Sequence, residues 1–249
     1  MQYKYCQNEN FEDYASGRVI LHKHGFPNFP VRLAQEIYCR CLSYVKNKAD
    51  ICIYDPCGGS GYMLTVLGFL NFAAIKTIVC SDLNGEALEI ADKNLNLLTV
   101  GGLEKRISRL QSLYTQFNRQ SHLEAIESAK NLMDLIQEDH RINTITFQAD
   151  ILSKNIKNIK DIPGDKNFQA DIVFTDIPYG NLISWRGNPE NEDDNTEISN
   201  LLDNLIPVIH SESIVAVCSN KRQKIWSEKY IRLEKQQIGK RKFEIFNLR

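Results

Sequence analysis

The segment from Asp55 to Gly61 has the residue types of a ligand-binding loop. Its sequence is Asp-Pro-Cys-Gly-Gly-Ser-Gly, it lies between an apolar run at 51–54 and a helical pattern, and its glycines let a ligand approach the backbone closely. The chain lacks the Gly-Lys-Ser/Thr of a phosphate loop, and Leu64 stands where a dinucleotide fingerprint requires a third Gly or Ala. Because a carboxylate would repel a pyrophosphate, Asp55 favours a ligand with a cationic group, such as the amino end of a methionine.

Two more acids follow predicted strands. Asp82 follows the apolar run at 77–80, and Asp150 closes the predicted strand at 142–148. An ionised Asp only accepts hydrogen bonds, so Asp82 suits two ribose hydroxyls and Asp150 suits an adenine amine. Together with Asp55 these acids indicate a class I S-adenosylmethionine site. The structural alternative, a glycine turn with scattered loop acids, leaves three acids at three strand ends unexplained.

A second set of candidates, Asp176-Ile177-Pro178-Tyr179, follows the buried-strand pattern at 171–175. Pro178 fixes φ, which leaves the Asp176 carboxylate and a neighbouring backbone carbonyl able to accept from a nucleobase edge. Tyr179 offers a ring on which a flipped base can stack. An acceptor-only Asp pairs with guanine N1–H better than Asn does, so Asp176, Pro178 and Tyr179 are the candidate catalytic residues for methylation of a purine nitrogen. A tight turn after a buried strand is the alternative.

Basic residues are concentrated at the end of the chain. Residues 221–249 carry ten Lys or Arg and three Glu, a net charge of +7 on a chain whose total is −1. This segregation indicates an edge that faces a polyanion, and Trp185 offers a second stacking ring. The candidate substrate-binding residues are Tyr179, Trp185, Arg222, Lys240 and Arg241. The other tryptophan, Trp226, is expected in the core.

The order of patterns predicts the fold class. Strand, glycine turn, helix, strand and helix form a βαβα unit, and continuously apolar strands suit a parallel sheet that is covered on both faces. A long helical periodicity at 103–140 predicts an insertion after the second βα unit, and the end of the chain predicts an antiparallel hairpin with Gly239 at the turn. We therefore expect one α/β domain over 1–249, with an N-terminal helical extension at about 1–48, a helical insertion at about 102–140 and a polar loop at 187–197.

Composition excludes several classes of protein. Lys plus Arg number 30 and Asp plus Glu number 31, which excludes a uniformly cationic or acidic chain, and 43% hydrophobic residues exclude disorder throughout. No apolar run reaches the roughly 18–20 residues of a membrane span, and the first residues lack the apolar core of a signal peptide, so a cytoplasmic protein without membrane contact is expected. Seven cysteines without a Cys-x-x-Cys pair predict reduced structural thiols and no metal site.

These motifs together resemble the AviRa family of ribosomal RNA methyltransferases, known from avilamycin resistance, and the resemblance covers nearly the whole chain. The matching segments are Phe29-Pro30-Val31-Arg32-Leu33-Ala34, Tyr54-Asp55-Pro56-Cys57-Gly58-Gly59-Ser60-Gly61-Tyr62, Ser81-Asp82-Leu83-Asn84, Asp176-Ile177-Pro178-Tyr179-Gly180 and Gln237-Ile238-Gly239-Lys240-Arg241. The resemblance implies a Rossmann-like class I methyltransferase fold, a mostly parallel seven-stranded sheet with an antiparallel C-terminal strand. It also implies methylation of a guanine, at N1, in large-subunit ribosomal RNA with S-adenosylmethionine as donor. Separately, we expect the protein to be a monomer.

The candidate cofactor-binding residues are Asp55, Gly59, Ser60, Gly61, Asp82, Leu83, Asp150 and Asp176. Two features depart from the family pattern. Gly58 stands where such loops often carry Cys, and the acidic segment at 190–194 would repel RNA. Three alternatives stay open at this point: a DNA or transfer RNA amino-methyltransferase that uses the same Asp-x-Pro-Tyr turn, a non-catalytic RNA-binding relative, and an NAD enzyme, which Leu64 disfavours.

Overall fold

A computed structural model of the chain describes residues 1–22, 28–137, 139–153, 168–177 and 194–249, and in them seven strands form one mixed sheet. The strands are β1 (Ile51–Asp55), β2 (Ile75–Asp82), β3 (Asn143–Gln148), β4 (Ala170–Asp176), β5 (Ile209–Asn220), β6 (Tyr230–Ile238) and β7 (Arg241–Leu248). Their order is β3-β2-β1-β4-β5-β7-β6; neighbours from β3 to β5 are parallel, and β7 is antiparallel to both β5 and β6. The predicted sheet, with its reversed last strand, is confirmed.

Helices alternate with the strands. In the described residues they are α1 (Val31–Tyr44), α2 (Tyr62–Leu70), α3 (Gly85–Leu95), α4 (Val100–Phe117), α5 (Gln120–Met133) and α6 (Asp194–Leu205). The side chain of Asn84 caps α3 by accepting from the Glu86 amide. The helical stretch predicted at 103–140 is two helices rather than one, because Asn118 ends α4 in the left-handed conformation, at φ 47°. Within the described ranges, no helix combines the length and the apolar character that crossing a membrane requires.

The sheet separates two hydrophobic cores. Along β4, Ile172 and Phe174 pack into the core that contains α1, α2 and α3, whereas Val173 packs into the core that contains α6. Side chains alternate across a strand, so a strand covered on both faces must be apolar throughout, as this one is. The two layers of helices leave the ends of the strands as the place where polar side chains can gather.

A buried carboxylate fastens the N-terminal segment to α1. Glu36 accepts hydrogen bonds from the amides of Lys4, Tyr5 and Cys6 at 2.7–2.8 Å, and the Arg40 guanidinium pairs with it at 2.7 Å. Burial by itself raises the pKa of Glu36, but these donors outweigh it and hold that pKa below its ordinary value. Residues 4–6 are thereby fixed against α1.

The helical insertion packs against the same N-terminal segment. Arg106 on α4 donates to the carbonyls of Arg18 and Val19 at 3.0 and 2.9 Å, and α5 lies against a short 3₁₀ turn at Glu12–Tyr14. Arg106 therefore helps to hold the insertion in place.

Three further expectations differ in outcome. The cysteines are free thiols, and Cys41, Cys80 and Cys218 are buried, which confirms structural thiols. The core placement of Trp226 is wrong: its side chain is 71% exposed, because the buried neighbours on either side, Ile225 and Ser227, turn it outwards. The polar loop expected at 187–197 is wrong for residues 194–197, which belong to α6; residues 187–193 lie outside the described part of the chain.

Candidate active site

Three carboxylates meet at the carboxyl edge of the sheet. Asp55, Asp82 and Asp176 are the last residues of β1, β2 and β4. Neighbouring parallel strands end on the same side, and the negative charges of Asp82 and Asp176 both contribute to a raised pKa at Asp55. The three side chains therefore share one electrostatic environment.

Asp55 is the most deeply buried of the three. It is 3% exposed, and this burial raises its pKa to about 7; the Cys57 amide, which donates to it at 3.0 Å, and the neighbouring Thr175 hydroxyl lower the pKa in part. A carboxylate held among like charges is stabilised by any cation that comes close. The site thus has the electrostatics to attract a cationic ligand group.

Asp82 ties the glycine loop to the end of β2. One of its oxygens accepts from the Gly59 amide at 2.8 Å, and the other accepts from the Asn84 amide at 2.8 Å. Each carboxylate oxygen has two acceptor positions, so both keep one for a ligand hydroxyl. Gly59 and Gly61 lie in the left-handed region, at φ 53° and 68°, where glycine is favoured.

The departure at Gly58 has a steric cause in this chain. A Cβ at Gly58 would lie 2.3 Å from the Cys80 sulfur, on the neighbouring strand β2, so a side chain there requires the loop or the strand to move. Its amide also donates to the Ser81 carbonyl at 2.9 Å. The unusual glycine is visible in the sequence, but no sequence signal points to the cysteine that opposes it.

Asp176 is positioned by contacts from two distant segments. Arg241, the first residue of β7, places its guanidinium 3.5 Å from the Asp176 carboxylate and 4.7 Å from the centre of the Phe29 ring. Phe29 in turn packs edge-on against Phe174, with 5.7 Å between the ring centres. Arg241 was predicted to bind substrate, which stays a prediction; the structure brings it to Asp176, and Phe29 is a neighbour of the site that sequence reasoning missed.

The other predicted cofactor residues surround this edge. Asp150 lies two residues beyond β3, is exposed, and accepts from the Leu152 amide at 2.9 Å. Leu83, next to Asp82, exposes its apolar side chain, while Ser60 is buried with its carbonyl 2.9 Å from the Asn94 side-chain amide. Pro178, Tyr179 and Trp185 lie outside the described residues.

Three cations of the basic C-terminal segment pair with one acid of the same segment. The buried carboxylate of Glu244 pairs with Arg232, Lys235 and Lys242 at 2.9, 3.7 and 2.5 Å. Buried carboxylates need such partners, and charge counting alone could not show that Glu244 points inwards. Of the three cations Lys242 is buried, whereas Arg232 and Lys235 remain exposed, so the edge that faces a polyanion stays a prediction.

Arg222 and Lys240 are exposed near the sheet edge that carries Asp176. Asn220, at the end of β5, pairs with Arg241, and the Lys221 amide donates to the Lys240 carbonyl at 3.0 Å. The hairpin turn at Gly239, with φ 59°, therefore lies beside the segment that leaves β5. Both predicted substrate-binding cations are brought to the edge that carries Asp176.

We expect Gly58→Ala to destabilise the fold by about 1–3 kcal/mol, the usual cost of overpacking. Denaturant unfolding measures this cost, and Cys80→Ala should remove most of it, since the added methyl would then face the Cys80 Cβ at 3.6 Å. Gly101→Ala, in α4, is the control, because its Cβ would meet nothing within 4 Å. An equal cost of Gly58→Ala with and without Cys80→Ala would contradict the steric explanation.

Known proteins with similar sequences point to one family. A family described as rRNA methyltransferase AviRa matches residues 1–241. The chain is 33% identical over 230 residues to the 23S rRNA (guanine(2535)-N(1))-methyltransferase of Streptomyces viridochromogenes, an alignment that covers 92% of this chain and 88% of that protein.

Solved structures with a similar fold point to the same family. Two structures of the rRNA methyltransferase AviRa from Streptomyces viridochromogenes match with TM-scores of 0.88 and 0.86, at 29% and 30% identity. The matches cover 99% and 98% of this chain and 96% of each solved chain. With its sheet order, its glycine loop and the matched length, the chain belongs to the AviRa family of rRNA methyltransferases.

Proposed function

We propose that this methyltransferase transfers a methyl group from S-adenosylmethionine to N1 of a guanine in large-subunit ribosomal RNA. The observation that carries the proposal is the meeting of Asp55, Asp82 and Asp176 at one sheet edge. The name of the relative from Streptomyces viridochromogenes supports the choice of 23S rRNA and of guanine N1. We further propose that the protein acts as a monomer in the cytoplasm and without a metal ion.

The residues at the edge fit the proposed cofactor. S-adenosylmethionine supplies a methyl group on a positively charged sulfur, which leaves as a neutral thioether. A nearby cation offsets the free-energy cost of a negative charge on Asp55, which is buried among like charges. Asp55 therefore suits the amino end of this molecule. The free acceptor positions of Asp82 suit the two ribose hydroxyls, and the exposed Leu83 and Asp150 suit the adenine ring and its amine.

Asp176 has the position and chemistry to act on the base. An ionised carboxylate accepts the hydrogen bond from guanine N1–H and takes its proton as the new N–CH₃ bond forms. Arg241 holds the Asp176 carboxylate at 3.5 Å while Phe29 limits where the guanidinium can lie. Stacking of the base on Tyr179 or Trp185, and the turn made by Pro178, remain part of the proposal.

The alternatives differ in substrate. A DNA or transfer RNA amino-methyltransferase would use the same edge, and Arg222 and Lys240 suit the phosphates of any nucleic acid. A non-catalytic RNA-binding relative would lack residues of the cofactor site. Here the loop from Asp55 to Gly61 has its glycines, and the Gly59 amide donates a hydrogen bond to Asp82. Substrate assays separate these possibilities.

We expect the affinity for S-adenosylhomocysteine to rise about tenfold from pH 6 to pH 8 in wild type, because a pKa of about 7 leaves Asp55 largely protonated at the lower pH. The pKa of Asp55 is higher in the folded protein than in the unfolded chain, so protonation of Asp55 stabilises the ligand-free fold at low pH. This stabilisation is lost as the pH rises through about 7. Isothermal calorimetry measures the ligand effect. Asp55→Asn should bind weakly with little pH dependence; the same pH profile in both proteins would contradict the role of Asp55.

We expect labelled donor to modify 23S rRNA, and not transfer RNA or DNA, when the three are incubated side by side with wild type. Nucleoside mass mapping should identify 1-methylguanosine at one position. Asp176→Ala should keep its affinity for S-adenosylhomocysteine while kcat falls about 10²–10⁴-fold, the range for loss of a general base. Label in transfer RNA or DNA alone would overturn the substrate, and unchanged turnover would remove Asp176 from the chemistry.

Neighbouring cations should differ in their kinetic effects. Because Arg241 contacts Asp176, we expect Arg241→Gln to lower kcat with little change in KM, and Arg241→Lys to restore part of kcat. Lys240 is exposed, so Lys240→Gln should raise KM for RNA and reduce the salt dependence of RNA binding by about one counterion. If Arg241→Gln raised KM alone, Arg241 would be a phosphate-binding residue and not a positioning residue.

A further inference from the structure

The segment between β5 and β6 has an alternating pattern of burial. Gln223, Ile225 and Ser227 are buried, whereas Arg222, Lys224 and Trp226 are exposed. Residues 221–223 form a turn, closed by the hydrogen bond from the Gln223 amide to the Asn220 carbonyl, and residues 224–227 continue without regular secondary structure. Two cations and one aromatic ring are thus exposed within five residues, and we call Arg222, Lys224 and Trp226 the 222–226 strip.

The backbone beneath the 222–226 strip is fixed at both ends. At the start, the Gln223 side-chain carbonyl accepts from the Asn220 amide at 3.0 Å, and the Gln223 amide donates to the Asn220 carbonyl at 3.1 Å. In the middle, Ile225 packs into the core that contains α6. At the end, the Ser227 carbonyl accepts from the Tyr230 amide at 3.4 Å. A ring presented on such a backbone loses little conformational entropy when it binds.

The 222–226 strip follows directly on the sheet edge that carries Asp176. It begins two residues after Asn220, whose partner in the sheet is Arg241, the residue that contacts Asp176. The exposed Lys240 is joined to its start by the hydrogen bond from the Lys221 amide. RNA on either side of a base bound at Asp176 can therefore reach the exposed cations Lys240, Arg222 and Lys224, which lie beyond the negatively charged strand ends.

Trp226 is unusual for its exposure. A Trp side chain normally buries most of its surface, and this one is 71% exposed, two residues after the exposed Lys224. Among residues 222–228 it is the one exposed apolar side chain, because Ile225 is buried, so this segment presents a single ring and no apolar patch. A single exposed ring next to cations is an arrangement on which unpaired bases stack, and the exposed Glu228 on its other side leaves the cations on one side of the ring.

We propose that the 222–226 strip binds the single-stranded RNA beside the target nucleotide, with Trp226 stacking on an unpaired base and the two cations facing phosphates. This inference rests on the proposed function, because it takes ribosomal RNA as the substrate. It assigns to Trp226 a role in RNA affinity and none in the transfer of the methyl group.

The test compares Trp226→Ala and Trp226→Phe with wild type, using the shortest 23S rRNA fragment that wild type methylates. We expect Trp226→Ala to weaken RNA binding about fivefold or more and to raise KM, with kcat and the affinity for S-adenosylhomocysteine unchanged. Trp226→Phe should keep most of the affinity, since it retains a ring. Tyr44→Ala is the matched control, because Tyr44 is an exposed aromatic at the end of α1, before the amino end of β1.

Salt dependence separates the ring from the cations. Trp226→Ala should leave the slope of log Kd against log salt unchanged, whereas Arg222→Gln combined with Lys224→Gln should reduce it by about 0.7 for each phosphate that the variant no longer neutralises. RNA affinity equal to wild type in Trp226→Ala would overturn the inference and leave the proposed function standing, since wild type methylates the same fragment. If wild type methylated no fragment of 23S rRNA, the proposed function would fail and this inference with it.

Discussion

Negative charge is concentrated where β1, β2 and β4 end, and the rest of the site is arranged around that concentration. Asp55 is buried there with a pKa of about 7, while Asp82 and Asp176 add their charges to the same edge. Each carboxylate is held by different donors: the Cys57 amide for Asp55, the glycine loop for Asp82 and a guanidinium for Asp176. The residual repulsion gives the edge an affinity for a cation, which is the property a sulfonium cofactor requires.

The reversed strand β7 explains why distant parts of the chain meet at this edge. If β7 ran parallel to β5, its first residue, Arg241, would lie at the opposite end of the sheet. Because β7 is antiparallel, Arg241 lies beside Asp176, 65 positions away in sequence. The same hairpin brings Lys240 next to Lys221 and so joins the C-terminal cations to the site. Phe29, which lies just before α1, packs against the guanidinium of Arg241. The site is therefore built from three segments that are far apart in the sequence.

The features that could be predicted from the sequence are those that a single local pattern carries. Apolar runs that end in an acid located Asp55, Asp82 and Asp176, and Gly239 between two alternating segments located the final hairpin. Contacts between residues that are far apart in the sequence could not be predicted. Nor could the burial of individual side chains in a segment without regular secondary structure. The features of this kind are the Cys80 sulfur opposite Gly58, the inward carboxylate of Glu244 and the exposed Trp226. The roles of Pro178, Tyr179 and Trp185 stay predictions.

A crystal structure of the protein bound to S-adenosylhomocysteine tests the role of the carboxylate edge most directly. We expect the two ribose hydroxyls within hydrogen-bonding distance of Asp82, the amino group near Asp55, and the sulfur directed towards Asp176. A nucleoside bound elsewhere on the molecule, or an edge filled by the protein's own side chains in the presence of saturating ligand, would contradict the assignment of this edge as the methyl-transfer site.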